Sequence, residues 1–210
     1  MDTSAIQVAY DQWAAQYDTD ENATRDLNAR VLRERLPLGE DAAVLELGCG
    51  TGLNTEWLAR HAGRVVAVDV SPEMLTRARR RLAEASVTLR EMDVIEPWPF
   101  DDSAFDAVVA TLVLEHVERL APVFCEAHRA LRPGGTFYLS ELHPSRQLGG
   151  TQANFEHEAS GEHVVIEAFA HSVSEFVDEG LAAGFSVRAM GEWYGPDDEA
   201  PRLLSIRFRA

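Results

Sequence analysis

The stretch VLELGCGTGLNTEWLA, residues 44–59, sets an apolar run against a helical pattern and places Gly48, Gly50 and Gly52 between them. AAVLELG reads as a short buried strand, and LNTEWLARHAG as a helix with Gly63 as its C-terminal cap. Glycines on a strand-to-helix turn let the chain bend tightly and bring backbone N–H groups against a ligand at a helix N-terminus. The stretch predicts a ligand loop.

The same alternation continues in both directions. RVVAVDV is a second buried strand, and Ser71-Pro72-Glu73 starts a helix, a capping residue followed by proline at the first helical position. SVTLREMD and FDAVVATLV are the third and fourth strands. VERLAPVFCEAHRAL is a helix closed by Arg132-Pro133-Gly134-Gly135, and TFYLSEL is the fifth strand. Residues 143–163 are irregular and rich in His, Gly, Gln and Asn. HVVIEAF resumes the pattern, followed by the helix SVSEFVDEGLAAG and by FSVRAMGEW and RLLSIRF, a closing antiparallel hairpin joined by GPDDEAP. Ahead of the loop, Ile6, Tyr10, Trp13 and Tyr17 share one helical face and Leu27, Val31, Leu32 and Leu36 the next, until Pro37 and Gly39 stop the pattern. Buried strands alternating with amphipathic helices predict an α/β fold, a Rossmann-like doubly wound sheet. Seven strands are expected, mostly parallel, with an antiparallel C-terminal hairpin. Residues 1–210 form a single domain on this reading.

Composition narrows the function. The 210 residues are 46% hydrophobic, enough for one core. The net charge is −16, and all 19 basic residues are arginine. Such an acidic excess repels phosphate backbones and anionic lipid, which disfavours nucleic acid or a membrane as partner. The one dense basic run, Arg77 to Arg81, reads as a solvated helix face. Without lysine there is no Schiff-base chemistry. Cys49 and Cys125 show no CxxC spacing and are expected to be reduced and unpaired. MDTSAIQVAYDQW lacks a basic or apolar leader pattern, and no apolar run reaches spanning length, so the expectation is a soluble, cytoplasmic protein, monomer or homodimer.

The loop's ligand follows from what it lacks. A dinucleotide fingerprint needs GxGxxG, but GxGxG is followed here by Leu53, and no GxxxxGK[ST] occurs. Asp69 ends the second strand, about twenty residues after the first glycine, where a carboxylate accepts hydrogen bonds from ribose hydroxyls. The ligand reads as a nucleoside without phosphates.

Glu46-Leu47-Gly48-Cys49-Gly50-Thr51-Gly52, Asp69 closing VVAVD, Asp93 in EMDV, FDAVVATLVLEHV and LRPGGTFYLSE together resemble the class I S-adenosylmethionine-dependent methyltransferases. The likeness is to the small-molecule group that includes the ubiquinone and menaquinone biosynthesis methyltransferases, and it runs motif by motif over residues 8–142. It implies S-adenosylmethionine as cofactor, S-adenosylhomocysteine as product and in-line transfer to a small-molecule acceptor. It further implies that Glu46, Gly48, Cys49, Gly50 and Gly52 surround the methionine end. Asp69 would hold the ribose and Val70 would pack on the adenine. Asp93 and Val94 would read the adenine edge, and Thr111 and Leu112 would border the methionyl chain.

Three places offer an acceptor pocket. Tyr10, Trp13 and Tyr17, in a YDxWAxxYD start similar to others in the family, form either an N-terminal helical lid over residues 1–36 or ordinary core. His116, in LVLEHV, is either a base with a suitable pKa or a packing residue. The third is a substrate-side insertion over 143–163. There His143 could act as base and Arg146 could grip a carboxylate, or Arg146 could pair with Glu156, Glu158 and Glu162. Trp193 and Tyr194 are an aromatic wall of that pocket or an edge of the core. His143, His157, His163 and His171 have no metal-ligand spacing, and no metal is expected. Rival readings are a tRNA- or other nucleic-acid-modifying methyltransferase, a nicotinamide-dependent oxidoreductase and a non-catalytic nucleoside-binding regulator.

Overall fold

The computed structural model describes residues 3–158 and 160–210. The first two residues of the expected N-terminal segment and residue 159 of the insertion lie outside the described residues. The chain runs α1 (Ser4–Trp13), α2 (Ala23–Arg35), β1 (Ala43–Leu47), α3 (Leu53–His61), β2 (Arg64–Asp69), α4 (Pro72–Arg81), β3 (Val87–Glu91) and β4 (Phe105–Thr111). A 3-10 turn over Leu114–His116 leads to α5 (Leu120–Ala130), β5 (Leu131–Leu142), α6 (Pro144–Leu148), β6 (Asn154–Glu156) and β7 (His163–Val165). The chain closes with α7 (Val173–Ala182), β8 (Ser186–Trp193) and β9 (Leu203–Arg209).

Seven strands form one sheet in the order β3-β2-β1-β4-β5-β9-β8. β1 to β5 are parallel, and β9 pairs antiparallel with both β5 and β8. The order reverses between β1 and β4, so the loops after these strands splay apart and leave a crevice at their carboxyl ends. β1 is buried along its whole length, as an apolar strand in a sheet covered on both faces must be. Alternate residues feed two layers. Leu45, Leu47, Val108 and Phe137 pack under α5 and α7 with Phe124 and Phe176. Val44, Val65, Val109 and Tyr138 pack under α2, α3 and α4 with Leu32, Leu58 and Leu75.

Local chemistry sets the helix starts. Asn22 caps α2 by accepting from the N–H groups of Thr24 and Arg25, and Ser71 caps α4 at Met74 with Pro72 at the first helical position. Gly63 does not cap α3. The cap is Ala62 in extended conformation, and Gly63 is required instead because a Cβ there would lie 2.9 Å from the Asp41 backbone. β5 begins earlier than TFYLSEL, at Leu131, with a register shift across the Arg132–Gly135 segment. Residues 143–163 are more regular than their composition suggests. They hold α6 and β6, and β6 pairs with β7 in a two-stranded sheet apart from the main one.

Behind β9, the Phe208 ring packs among Phe124, Phe137 and Phe185, and a Cβ on Gly180 of α7 would overlap it. Gly180→Ala is expected to destabilise the fold by about 1–3 kcal/mol, the usual cost of overpacking, measured by urea denaturation.

Candidate functional site

The loop after β1 lines a cleft at the carboxyl edge of the sheet, with about 1030 Å³ of empty space including its open mouth. Gly48, Gly50 and Gly52 all have positive φ, at 64°, 54° and 84°, a conformation other residues reach only with strain. Each glycine has a different neighbour. A Cβ on Gly48 would strike the Val113 side chain, and one on Gly52, the N-cap of α3, would crowd Leu82 and Ala78. A Cβ on Gly50 would meet nothing within 4 Å. It would project into the space a ligand needs.

Asp69 fixes this loop. One carboxylate oxygen accepts from the Gly50 N–H at 2.7 Å and the other from the Ser71 N–H at 2.9 Å. Burial raises its pKa, opposed by the backbone N–H groups of Ser71, Gly50 and Val70. Glu46, beneath the loop, accepts from the Thr55 hydroxyl at 2.6 Å, and burial pushes its pKa up to about 8. Further along the cleft, Asp93 accepts from the Ile95 N–H at 3.1 Å and from the Thr3 hydroxyl. Val70, Met74, Met92 and Val94 make an apolar slot between the two aspartates.

The opposite wall comes from β4 and the N-terminal helices. Leu112 takes a left-handed φ of 53°, which costs a non-glycine residue of order 1–3 kcal/mol. Thr111 accepts from the Asn54 amide at 3.3 Å. The carbonyl oxygens of Asn28 and Asn54, both on the cleft wall, are buried without a partner in the protein. Arg25 brings the wall a guanidinium, which lies 4.2 Å over the Tyr17 ring.

α1 roofs the cleft. The Tyr10 hydroxyl is 2.8 Å from Nε2 of His116, Asp11 accepts from the Ser71 hydroxyl, and Asp18 accepts from Thr51 at 2.6 Å and pairs with Arg81 at 2.8 Å. The basic run of α4 thus contributes Arg81 to the roof. Trp13 stacks between Tyr10, centroids 5.9 Å apart, and Phe155 of β6, centroids 5.1 Å apart. Gln16 adds hydrogen bonds to the Glu156 carbonyl at 2.8 Å and from the Glu158 N–H at 3.1 Å.

Of the residues expected from sequence, the cleft brings together Glu46, Gly48, Cys49, Gly50, Asp69 and Val70 on one wall. Asp93, Val94, Thr111, Leu112 and His116 follow it round to Tyr10 and Tyr17. Gly52 and Trp13 stand behind it. His143 and Arg146 do not face it. His143 N-caps α6 and meets Glu192 at 3.3 Å. Arg146 pairs with Asp198 at 2.7 Å, not with Glu156, Glu158 or Glu162. Hydrogen bonds from Arg202, with Arg146 adding to them, hold Asp198 well below the usual carboxylate range. Trp193 donates to Ser205 at 2.8 Å beneath Arg35, and Tyr194 is exposed. Both belong to the sheet edge. The sequence reading missed Thr3, Arg25, Asn28 and Asn54. Asn28 was detectable as a polar residue between Leu27 and Val31 on the buried face of α2.

The set fits an adenosyl ligand: two carboxylates flank an apolar slot, and a glycine leaves room above the loop. Among the described residues, no helix is long and apolar enough to cross a membrane, and no group of three His, Cys, Asp or Glu is placed to hold a metal.

Comparison with known proteins agrees with that fit. The methyltransferase domain family matches residues 45–139. The uncharacterized methyltransferase AN0656 of Emericella nidulans is 30% identical over 217 residues, covering 85% of this chain and 75% of its own. The ubiquinone biosynthesis O-methyltransferase of Xanthomonas campestris is 38% identical over 103 residues, 48% of this chain and 43% of that protein, so this chain spans less than half of that relative. Among solved structures, the DhpI–SAH complex superposes with a TM-score of 0.76 at 27% identity, over 98% of this chain and 95% of that one.

Glu141, beneath the turn after β4, accepts from the N–H groups of Val113 and Leu114, and burial with the nearby Glu115 raises its pKa to about 8. Glu46 and Glu141 both keep protons in the folded state that they release in the unfolded chain, where the ordinary value is 4.5. The folded state binds more protons, so stability falls as pH rises from about 4.5 to about 8. Glu141→Gln is expected to flatten that fall, measured by denaturation across the same pH window.

Proposed function

Because this chain belongs to the class I S-adenosylmethionine-dependent methyltransferases, we propose that its acceptor is a small molecule, methylated inside the cleft beneath α1. The observation that carries this reading is the roof itself. Tyr10 and Asp11 of α1, and Asp18 in the turn after it, tie this segment across the mouth, which favours a compact acceptor over a duplex or a folded partner. The net charge of −16 supports it, since a nucleic-acid acceptor would meet an anionic surface.

On this reading Asp69 accepts from the ribose hydroxyls, and Asp93 reads the adenine edge within the slot of Val70, Met74 and Val94. Glu46, Gly48, Cys49 and Gly50 surround the methionyl end, and Arg25, the one guanidinium on the cleft wall among the described residues, answers its carboxylate. When bound, S-adenosylmethionine supplies a methyl group already activated on a sulfonium, so the protein's share is to bind, orient and exclude water. Leu112, Tyr10 and Tyr17 border the space left for the acceptor. α1 and the turn after it act as the lid, while α2 packs on the sheet as part of the core. The 143–163 insertion serves it indirectly, through Phe155 under Trp13 rather than through His143 or Arg146. Free Cys49 and Cys125 support a cytoplasmic location.

Calorimetric titration with S-adenosylmethionine, S-adenosylhomocysteine and NAD tests the cofactor assignments. Both adenosyl ligands are expected to bind, and NAD is not. Asp69→Ala and Arg25→Ala are each expected to weaken S-adenosylhomocysteine binding by about 2 kcal/mol, roughly thirtyfold. For the acceptor, bulk tRNA offered with radiolabelled cofactor is expected to stay unlabelled. Labelling that weakens steeply with added salt would transfer the assignment to nucleic acid.

A further inference from the structure

His116 is buried in the 3-10 turn after β4 and held from both sides. Its Nδ1 lies 2.7 Å from the Glu167 carbonyl oxygen, and its Nε2 lies 2.8 Å from the Tyr10 hydroxyl. A carbonyl only accepts, so Nδ1 carries the ring proton. In the neutral ring Nε2 then has a bare lone pair, and the Tyr10 hydroxyl donates to it. The Tyr10 oxygen keeps its own lone pairs, and Tyr10 and His116 both line the cleft. Burial, with Tyr17, Glu115, Asp69 and Glu141 around it, holds the Tyr10 pKa well above the usual phenol value, so the hydroxyl stays protonated until something takes its proton.

We propose that Tyr10 and His116 form a proton relay for methyl transfer, and that the acceptor is therefore protic, with a hydroxyl or a ring N–H as its nucleophile. The inference rests on the methyltransferase reading above. The acceptor's lone pair forms the bond to the methyl carbon, and the carbon–sulfur bond breaks with its electron pair left on sulfur. The acceptor's proton passes to the Tyr10 oxygen as the Tyr10 proton passes to Nε2 of His116. Tyr10 ends neutral, and His116 ends as an imidazolium. Every new N–H has a partner in place. Nδ1–H stays on the Glu167 carbonyl, Nε2–H faces the Tyr10 oxygen, and the Glu115 carboxylate stands 4.0 Å from Nε2. One positive charge leaves sulfur and one appears on the ring, so transfer moves charge within the cleft without creating a net one. Tyr10 comes from the lid, so an open lid leaves His116 without its relay and couples proton removal to closure.

Nitrogen NMR of isotope-labelled histidine, with the protein saturated in S-adenosylhomocysteine, reads the tautomer directly. His116, assigned by its loss in His116→Gln, is expected to be neutral with the proton on Nδ1. Tyr10→Phe is expected to shift the Nε2 resonance without changing the tautomer. A ring protonated at Nε2 alone overturns the relay. In turnover, small phenols and N–H heterocycles are offered with radiolabelled S-adenosylmethionine. Tyr10→Phe and His116→Gln are expected to lower kcat about 100-fold, with acceptor KM and S-adenosylhomocysteine affinity within about threefold of wild type. Thermal unfolding confirms that both variants fold. Variants that raise KM and leave kcat intact reduce the pair to a lid anchor and overturn the relay while methyl transfer stands. Failure of the wild type to bind S-adenosylhomocysteine overturns the underlying reading itself.

Discussion

The carboxylate of Asp69 joins two turns that would otherwise be independent. Its two oxygens take the backbone N–H of Gly50, in the loop after β1, and of Ser71, in the turn after β2. Charge-assisted hydrogen bonds to backbone N–H groups are among the stronger ones available to a folded chain, and here they hold a three-glycine loop in a left-handed path. Ser71 carries the connection onward. Its hydroxyl accepts from Met74 to cap α4 and donates to Asp11 of α1. One acidic side chain thus orders the ligand loop, the start of a helix and one attachment of the roof.

The roof is held from outside as well as inside. Trp13 and Gln16 grip the β6–β7 hairpin through a stacked ring and two backbone hydrogen bonds. α1, which carries Trp13 ahead of Gln16 in the following turn, presents Tyr10 to His116 on its inner side. The hairpin and the segment behind it also brace the turn after β4, since the Phe169 N–H donates to the Glu115 carbonyl at 2.7 Å and His171 meets the Val117 carbonyl at 2.7 Å. Moving α1 off the cleft would part a hydrophobic contact on one face and a polar one on the other. Lid position and the ordering of the His116 ring are therefore mechanically linked.

Charge around the cleft is lopsided. Glu46, Asp69 and Asp93 line it, Glu115 and Glu141 are buried nearby, and among the described residues Arg25 is the one guanidinium lining it. Burial raises the pKa of Glu46, Asp69, Glu115 and Glu141 because a low-dielectric surrounding penalises the ionised form. A sulfonium cation suits a site whose lining carboxyl groups outnumber its guanidinium, and binding one would draw their raised pKa values back down. The acidity of the whole chain is thus not confined to its surface.

The sheet, its seven strands and the glycine turn at the mouth of the cleft were legible from residue order because they rest on local rules. Fully apolar strands, a capping serine before proline and glycines after a buried strand carry their meaning within a few residues. Asp69 was placed by its position at the end of the second strand, and Asp93 only by the family resemblance; both line the cleft. What the sequence could not decide was which distant side chains meet. Arg146 and His143 sit in a segment that reads as substrate-facing, yet Asp198 and Glu192 of the neighbouring β8–β9 hairpin take them. Trp13 and Tyr10 lie three positions apart on one helix, yet one faces a hairpin and the other a histidine. Periodicity says that a helix has a buried face. Only the packing of α1 between the cleft and the hairpin decided what each residue on that face would touch.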